Sequence, residues 1–385
     1  MEAGHSLLYL IVIIAAAKLG GEISERIRLP ATLGELLVGV LLSFTSIRAA
    51  ADDSAILFVA SIGIILLLFG IGLESGLDDF IRVGRSASLV AIIGVVVPLV
   101  TGYVVSLALL GDYRQALFLG ATLTATSVGI TARVLSDLGH MGSIEAKIII
   151  GAAVIDDILG LLVLSTVLQI VSTGTLEPSI IARSAGIAIV FLVGAVWIGI
   201  RFAGIFVPIA RSLRTHGVLV SFSFLFCITL AYMAQLLGLA EIIGAFAAGL
   251  ALETTDDSVK IQRKIKPLED IFLPVFFVVV GLQVSFAGLN PATAGGRQAI
   301  ILGVVLLVLA IVGKLISGLG VLKPGANKLA IGVGMVPRGE VGLIFASVGL
   351  REGIISGSVY AAVIFVVFIS TLITPTWLSH VFSRR

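Results

Sequence analysis

The sequence predicts an all-α polytopic membrane protein of about thirteen transmembrane helices, and three observations carry that expectation. First, 58% of its 385 residues are hydrophobic and 12% are charged. Soluble domains carry roughly 25% charge, and no soluble core could enclose so much apolar surface. Second, the apolar residues fall in runs approaching the ~20 residues that cross a bilayer. Third, the basic residues between those runs collect on alternate connections, as the positive-inside rule requires.

The first run, 6–20, follows Glu2 rather than a basic residue and meets Lys18 at once, so it reads as a spanning helix and not a signal peptide. Lys18, Arg26 and Arg28 separate it from 30–46, which Arg48 closes; Arg82 and Arg85 follow 55–73, and Arg114 follows 87–110. Arg133 and Lys147 bound 115–136, Arg183 follows 146–171, and Arg201, Arg211 and Arg214 mark the end of 184–207. Runs 216–238 and 239–252 are separated by almost nothing, and the second is the shortest. Lys260, Arg263, Lys264 and Lys266 then precede 268–286, and Arg297 precedes 298–321. Lys323 and Lys328 introduce 328–349, Arg351 closes it, and Arg384 and Arg385 end the chain after 357–380. Assigned to alternate sides, 18 basic residues fall on one face and 5 on the other, out of 25. That bias places the N-terminus outside and the C-terminus in the cytoplasm. The remaining two, Lys314 and Arg338, lie inside expected spans.

A shift of 210 residues lays LPATLGELLVGVLL (29–42) over LAEIIGAFAAGLAL (239–252). With a one-residue slip it lays LLFGIGLES (67–75) over FVVVGLQVS (277–285), and in register TATSVGITARVL (124–135) over GMVPRGEVGLIF (334–345), Gly129 on Gly339. The copies begin seven spans apart, an odd number, so they cross the membrane in opposite senses: an inverted-topology repeat, common in secondary transporters, with the site at the midplane. The third pair is also where helices should break. Thr122, Thr124, Thr126, Ser127, Gly129 and Thr131 weaken one span, and Pro337 removes a backbone bond from the other.

Asp156 and Asp157 sit near the centre of the apolar stretch 146–171. An acid at the centre of a membrane helix costs roughly 2.5–3.5 kcal/mol on insertion scales, so an adjacent pair points to ion binding or transport. Neighbours on a helix diverge by about 100°, so the two cannot face one partner. Lys314 is the free cation deep in a span, which makes Asp156–Lys314 the expected buried pair and Asp157 the expected ligand for Na+. The Thr126 and Ser127 hydroxyls and freed carbonyls would complete an oxygen set of the kind hard cations prefer. Arg338 and Glu340, in the second broken span, are expected to neutralise half-helix ends and each other. Glu35 reads as a packing or helix-end acid, Glu74 and Arg133 as ordinary charges at span ends. His5, His140, His216 and His380 fall at ends or in loops. The single cysteine, Cys227, excludes an internal disulfide and a cysteine metal site, and no basic or aromatic cluster suggests nucleic acid. Adjacent acids on one helix cannot form the facing dyad of an intramembrane aspartyl protease, and an anion carrier would put cations where these acids stand. Composition alone leaves a cation channel open.

TATSVGITARVL, GAAVIDD, AIVGKLISG and GVGMVPRGEVGLI resemble the bacterial Na+/H+ antiporters of the NapA type, within the branch of cation:proton antiporters that includes the Kef potassium systems. The similarity runs from GELLVGVLL to the final span. It implies an NhaA/NapA-like fold with two crossing broken helices and a homodimer embedded in the lipid of a bacterial inner membrane. It also implies a six-helix core that moves by an elevator mechanism against a dimerisation domain. On this chain the core would take about 55–171 and 268–380, the dimerisation domain 1–50 and 216–252, and a linking helix 184–207. Asp157 would be the carboxylate for which Na+ and H+ compete, Asp156 would pair with Lys314, and Thr126 and Ser127 would lie at the crossing. Asp156, an Asn in electroneutral relatives, favours electrogenic exchange. The expected function is therefore a Na+/H+ antiporter, not an enzyme, serving pH homeostasis, with Na+ or Li+ and H+ as cargo and no cofactor. A K+/H+ antiporter is the alternative. No fused regulatory domain of the Kef kind is expected.

Overall fold

The computed structural model describes residues 2–27, 29–74, 77–173, 178–212, 217–284 and 289–383, and among them it is helical throughout, without a strand. In chain order the helices are α1 (Glu2–Arg26), α2 (Ala31–Leu42), α3 (Ser54–Glu74), α4 (Leu77–Leu110) and α5 (Tyr113–Thr122). They continue with α6 (Val128–Asp137), α7 (Ile144–Thr173), α8 (Pro178–Ser212), α9 (Val218–Leu236) and α10 (Glu241–Glu253). The last are α11 (Ser258–Leu282), α12 (Ala294–Ser317), α13 (Lys328–Gly334), α14 (Glu340–Arg351) and α15 (Gly357–Ser383). Eight of them, α1, α3, α4, α7, α8, α9, α12 and α15, are long and apolar enough to cross a membrane.

Helix boundaries overrun the apolar runs. α4 starts at Leu77 rather than 87 and α11 at Ser258 rather than 268. Arg and Lys are good helix formers, so Arg82, Lys260 and Lys266 extend helices that an apolar window cuts short. Runs 115–136 and 328–349 are each divided, into α5 with α6 and α13 with α14. Local chemistry starts these short pieces. Asp112 caps α5 by accepting the Arg114 N–H at 2.9 Å, and that bond holds its carboxyl below the usual carboxylate range. Asn327 caps α13 by accepting from the Leu329 and Ala330 N–H groups.

Packing gathers the helices into two groups. In one, α3 lies along α10 and α11, α2 along α1 and α11, and α9 along α10. In the other, α4 packs on α5, α7 and α12, and α15 on α12 and α14. α8 leans on α10 and touches α7. Small residues set the close crossings in the first group. A β-carbon on Gly39 would lie 2.2 Å from the Val278 carbonyl oxygen, and one on Gly249 would lie 2.3 Å from that of Phe69. Likewise a β-carbon on Gly34 would meet the Gly20 carbonyl at 1.9 Å, and one on Gly244 that of Leu230 at 2.1 Å. Gly34 and Gly244, Gly39 and Gly249, and Gly20 and Leu230 are each 210 positions apart.

Candidate functional site

Two interrupted helices build the site. α5 stops at Thr122, and α6 begins at Val128 after an extended stretch. The Thr122 and Thr124 hydroxyls donate to the Phe118 and Ala121 carbonyls at 2.9 and 2.7 Å, competing locally with the helical ladder. α13 stops at Gly334, and α14 begins at Glu340 after Val336–Gly339; Pro337 has no N–H with which to continue a helix.

The interruptions lie across each other. The Ser127 N–H donates to the Pro337 carbonyl at 2.8 Å, the Thr126 hydroxyl to that of Met335 at 3.3 Å, and the Thr131 hydroxyl to that of Gly334 at 2.6 Å. A β-carbon on Gly339 would come within 2.5 Å of Ser127 Oγ, so any other residue there would have to push the serine side chain aside. Arg338, 1% exposed, donates its guanidinium to the Val336 carbonyl at 2.9 Å and to that of Leu123. The Leu123 carbonyl closes the first half-helix, where the helix dipole leaves partial negative charge, and Val336 lies in the extended stretch just after the second. The Thr371 hydroxyl of α15 donates in turn to the Arg338 carbonyl.

Against the crossing stands α7 with its two acids, Asp156 at 1% and Asp157 at 5% exposure. Lys314 of α12, fully buried, donates from Nζ to Asp156 Oδ1 at 3.0 Å. The Thr126 hydroxyl also faces the Asp156 carboxylate, and Arg338 lies within electrostatic reach of it. Lys314 feels Asp157 as well as Asp156. The structure thus gathers Asp156, Lys314 and Thr126 into one contact, with Asp157 next along the helix and Ser127 and Arg338 in the crossing. The side chain of Glu340, at the start of α14, lies outside the described residues. A cavity of about 290 Å³ lies along the C-terminal half of α7: Ile158, Leu161 and Ser165 line it with Ala188 of α8 and Gly238 and Leu239 of the α9–α10 turn, and neither acid does.

Two expectations are corrected by position. The second break is offset from the first by 212 residues, not 210: Leu123 and Met335 end the first halves, and Ser127 and Gly339 precede the second halves. Gly129 therefore corresponds to Val341 rather than to Gly339. Arg133, expected as an ordinary charge at a span end, has a side chain only 12% exposed and pairs with Asp137 at 2.9 Å and Glu269 at 3.6 Å. The sequence held one signal for this: an arginine and several acids close to the same ends of spans 30–46, 115–136 and 268–286.

Comparison with known proteins bears on this geometry. Residues 10–384 match the family model described as sodium/hydrogen exchanger, transmembrane. The chain is 40% identical to the high-affinity Na+/H+ antiporter NhaS3 of Synechocystis, over 98% of this chain and 89% of that protein. It is 34% identical to the Na+/H+-K+ antiporter GerN of Bacillus cereus, over 97% and 95% of the two chains. The solved sodium proton antiporter MjNhaP1 of Methanocaldococcus jannaschii has the same fold, with a TM-score of 0.71 at 18% identity, over 100% of this chain and 98% of that one.

Proposed function

The chain belongs to the sodium/hydrogen exchanger family of cation/proton antiporters, and on that premise we propose that it exchanges Na+ for H+ electrogenically, the two ions competing at Asp157. The observation that carries the reading is the buried Asp156–Lys314 pair, set beside Asp157 at the crossing of two broken helices. A carboxylate can be neutralised by a proton or by a hard cation, and hydroxyls and freed carbonyls are the oxygen donors such a cation takes. Either occupant lowers the cost of carrying the acid through a low-dielectric slab. If Na+ at Asp157 draws Asp156 away, Lys314 loses its counter-ion and can release a second proton, which makes the cycle electrogenic.

Thirteen crossings fit this reading: the two broken pairs, α2, α10 and α11 would join the eight long helices. The matched glycine contacts at a spacing of 210 support an inverted repeat, with the N-terminus outside and the C-terminus cytoplasmic as the basic residues suggest. The moving core would comprise α4–α7 and α12–α15. That is narrower than the 55–171 and 268–380 implied by resemblance, because α3 and α11 pack with α2 and α10. The remaining helices would form the dimerisation side of a homodimer in the bacterial inner membrane, with α8 linking the two.

Asp157→Asn tests the reading. In proteoliposomes carrying a trapped pH dye, the parent should change luminal pH whenever Na+ is added and the variant should not respond. A variant that still responds removes Asp157 from the site. Na+ flux without a pH change would mean a channel instead. The name of the GerN relative keeps K+ in view, and the same assay run with K+ and Li+ ranks the cations.

A further inference from the structure

One cluster of buried charge is not used by the ion site. It lies at the far end of α6 from the crossing and joins three helices of the two packing groups. Arg133 Nε reaches Asp137 Oδ1 at 2.9 Å within α6, and its NH1 reaches Glu269 Oε1 on α11 at 3.6 Å. The same Glu269 oxygen accepts from Lys266 Nζ at 2.7 Å. Asp137 Oδ2 accepts from the Thr32 hydroxyl of α2 at 3.3 Å. Glu35, 3% exposed on α2, lies within electrostatic reach of Arg133, and Lys18 of α1 donates to the Asp270 carbonyl at 2.7 Å. Below this cluster α6 is pressed on α3: a β-carbon on Gly129 would sit 2.3 Å from Ile64 Cδ1. This face of the α3–α6 seam is closed, whereas the cavity beginning at Ile158 lies toward the other end of α7.

The geometry points to Arg133 as a positioning residue for exchange: it clamps the end of α6 to α2 and α11, and its release lets that face open toward Asp157. The inference rests on the alternating-access reading above. Arg133 meets acids on both sides of the boundary, Asp137 in its own helix and Glu269 across on α11. Its ion pairs are largely buried and so weakly screened, and separating the helices gives up the attraction between Arg133 and Glu269. The clamp therefore favours the state in which this face is shut, and removing it shifts the population toward the other state.

Two measurements in a Cys227→Ser background test this. Thr32→Cys with Asp137→Cys places a thiol pair across α2 and α6. The reduced protein, which loses Asp137 but keeps the Arg133–Glu269 pair, should still exchange, oxidation to the disulfide should stop exchange, and dithiothreitol should restore the reduced variant's own rate. Separately, Ile64→Cys lies in the α3–α6 seam. A membrane-impermeant maleimide supplied to the α6-end face should label it at least about tenfold faster when Arg133 is Gln, and at the parental rate when Arg133 is Lys. A merely structural role for Arg133 would raise labelling from both faces alike. Undiminished exchange with the disulfide closed, or labelling unchanged by Arg133→Gln, overturns the clamp. Labelling requires no turnover, so it judges the clamp even if the reduced parent moves no Na+, a result that would count against the functional reading instead.

Discussion

Replacing Lys314 by Gln would leave Asp156, at 1% exposure, without the ammonium now 3.0 Å from its carboxylate. Removing one partner of a buried ion pair costs roughly 3–5 kcal/mol, so the purified variant should melt at a lower temperature. If Lys314 releases the second proton, the variant keeps some Na+/H+ exchange but carries no net charge. Solid-supported-membrane currents matching the parent's would show that Lys314 moves no proton. That Lys314 would be the cation meeting the acid pair could be reasoned from the sequence, because few cations occur at that depth. Arg133 resisted the same logic. A charge four residues before Asp137 at a span end looks solvated until α2 and α11 are seen to cover it. Which of two divergent neighbours faces Lys314 also depends on helix rotation, and helix rotation is set by packing.

Among the helices, approach distance makes sharp forecasts. A β-carbon on Gly249 would stand 2.3 Å from the Phe69 carbonyl and 2.7 Å from Gly72 Cα, so α3 and α10 must part to admit one. Overpacking of this kind typically costs about 1–3 kcal/mol, and Gly249→Val should lower the melting temperature measurably. Gly186 of α8 has nothing within 4 Å of its would-be β-carbon. Gly186→Ala should be neutral or stabilising by up to ~1 kcal/mol, since alanine is the better helix former. The pair is checked by thermal-shift assay in one detergent; equal destabilisation of both would contradict the packing argument. The helix interruptions were readable because proline and clustered threonines act locally. The two-residue drift between the copies was not readable, because Gly129 and Gly339 align as letters while only backbone geometry says where each half-helix starts.

Over the whole molecule, the basic bias assigns a membrane sidedness that needs only the order of the spans. It yields a direct check. Single cysteines at Gly142, exposed ahead of α7, and at Ala292, exposed ahead of α12, should label from opposite faces of the membrane, Gly142 from the cytoplasm. Labelling of both from one face would break the proposed topology. The grouping of α3 and α11 with α2 and α10 was hidden, because hydropathy reports that a helix is buried in lipid or protein and never beside which neighbour. Arg338 has one more consequence, which concerns biosynthesis. Its guanidinium satisfies the carbonyl at Leu123, 215 positions earlier in the chain. At about 5–20 residues per second of synthesis, the first interrupted helix waits on the order of ten to forty seconds for the side chain that completes it. Throughout that interval the nascent chain holds unsatisfied carbonyls and two acids at bilayer depth. The insertion machinery, rather than the lipid, is where the early half should be found waiting.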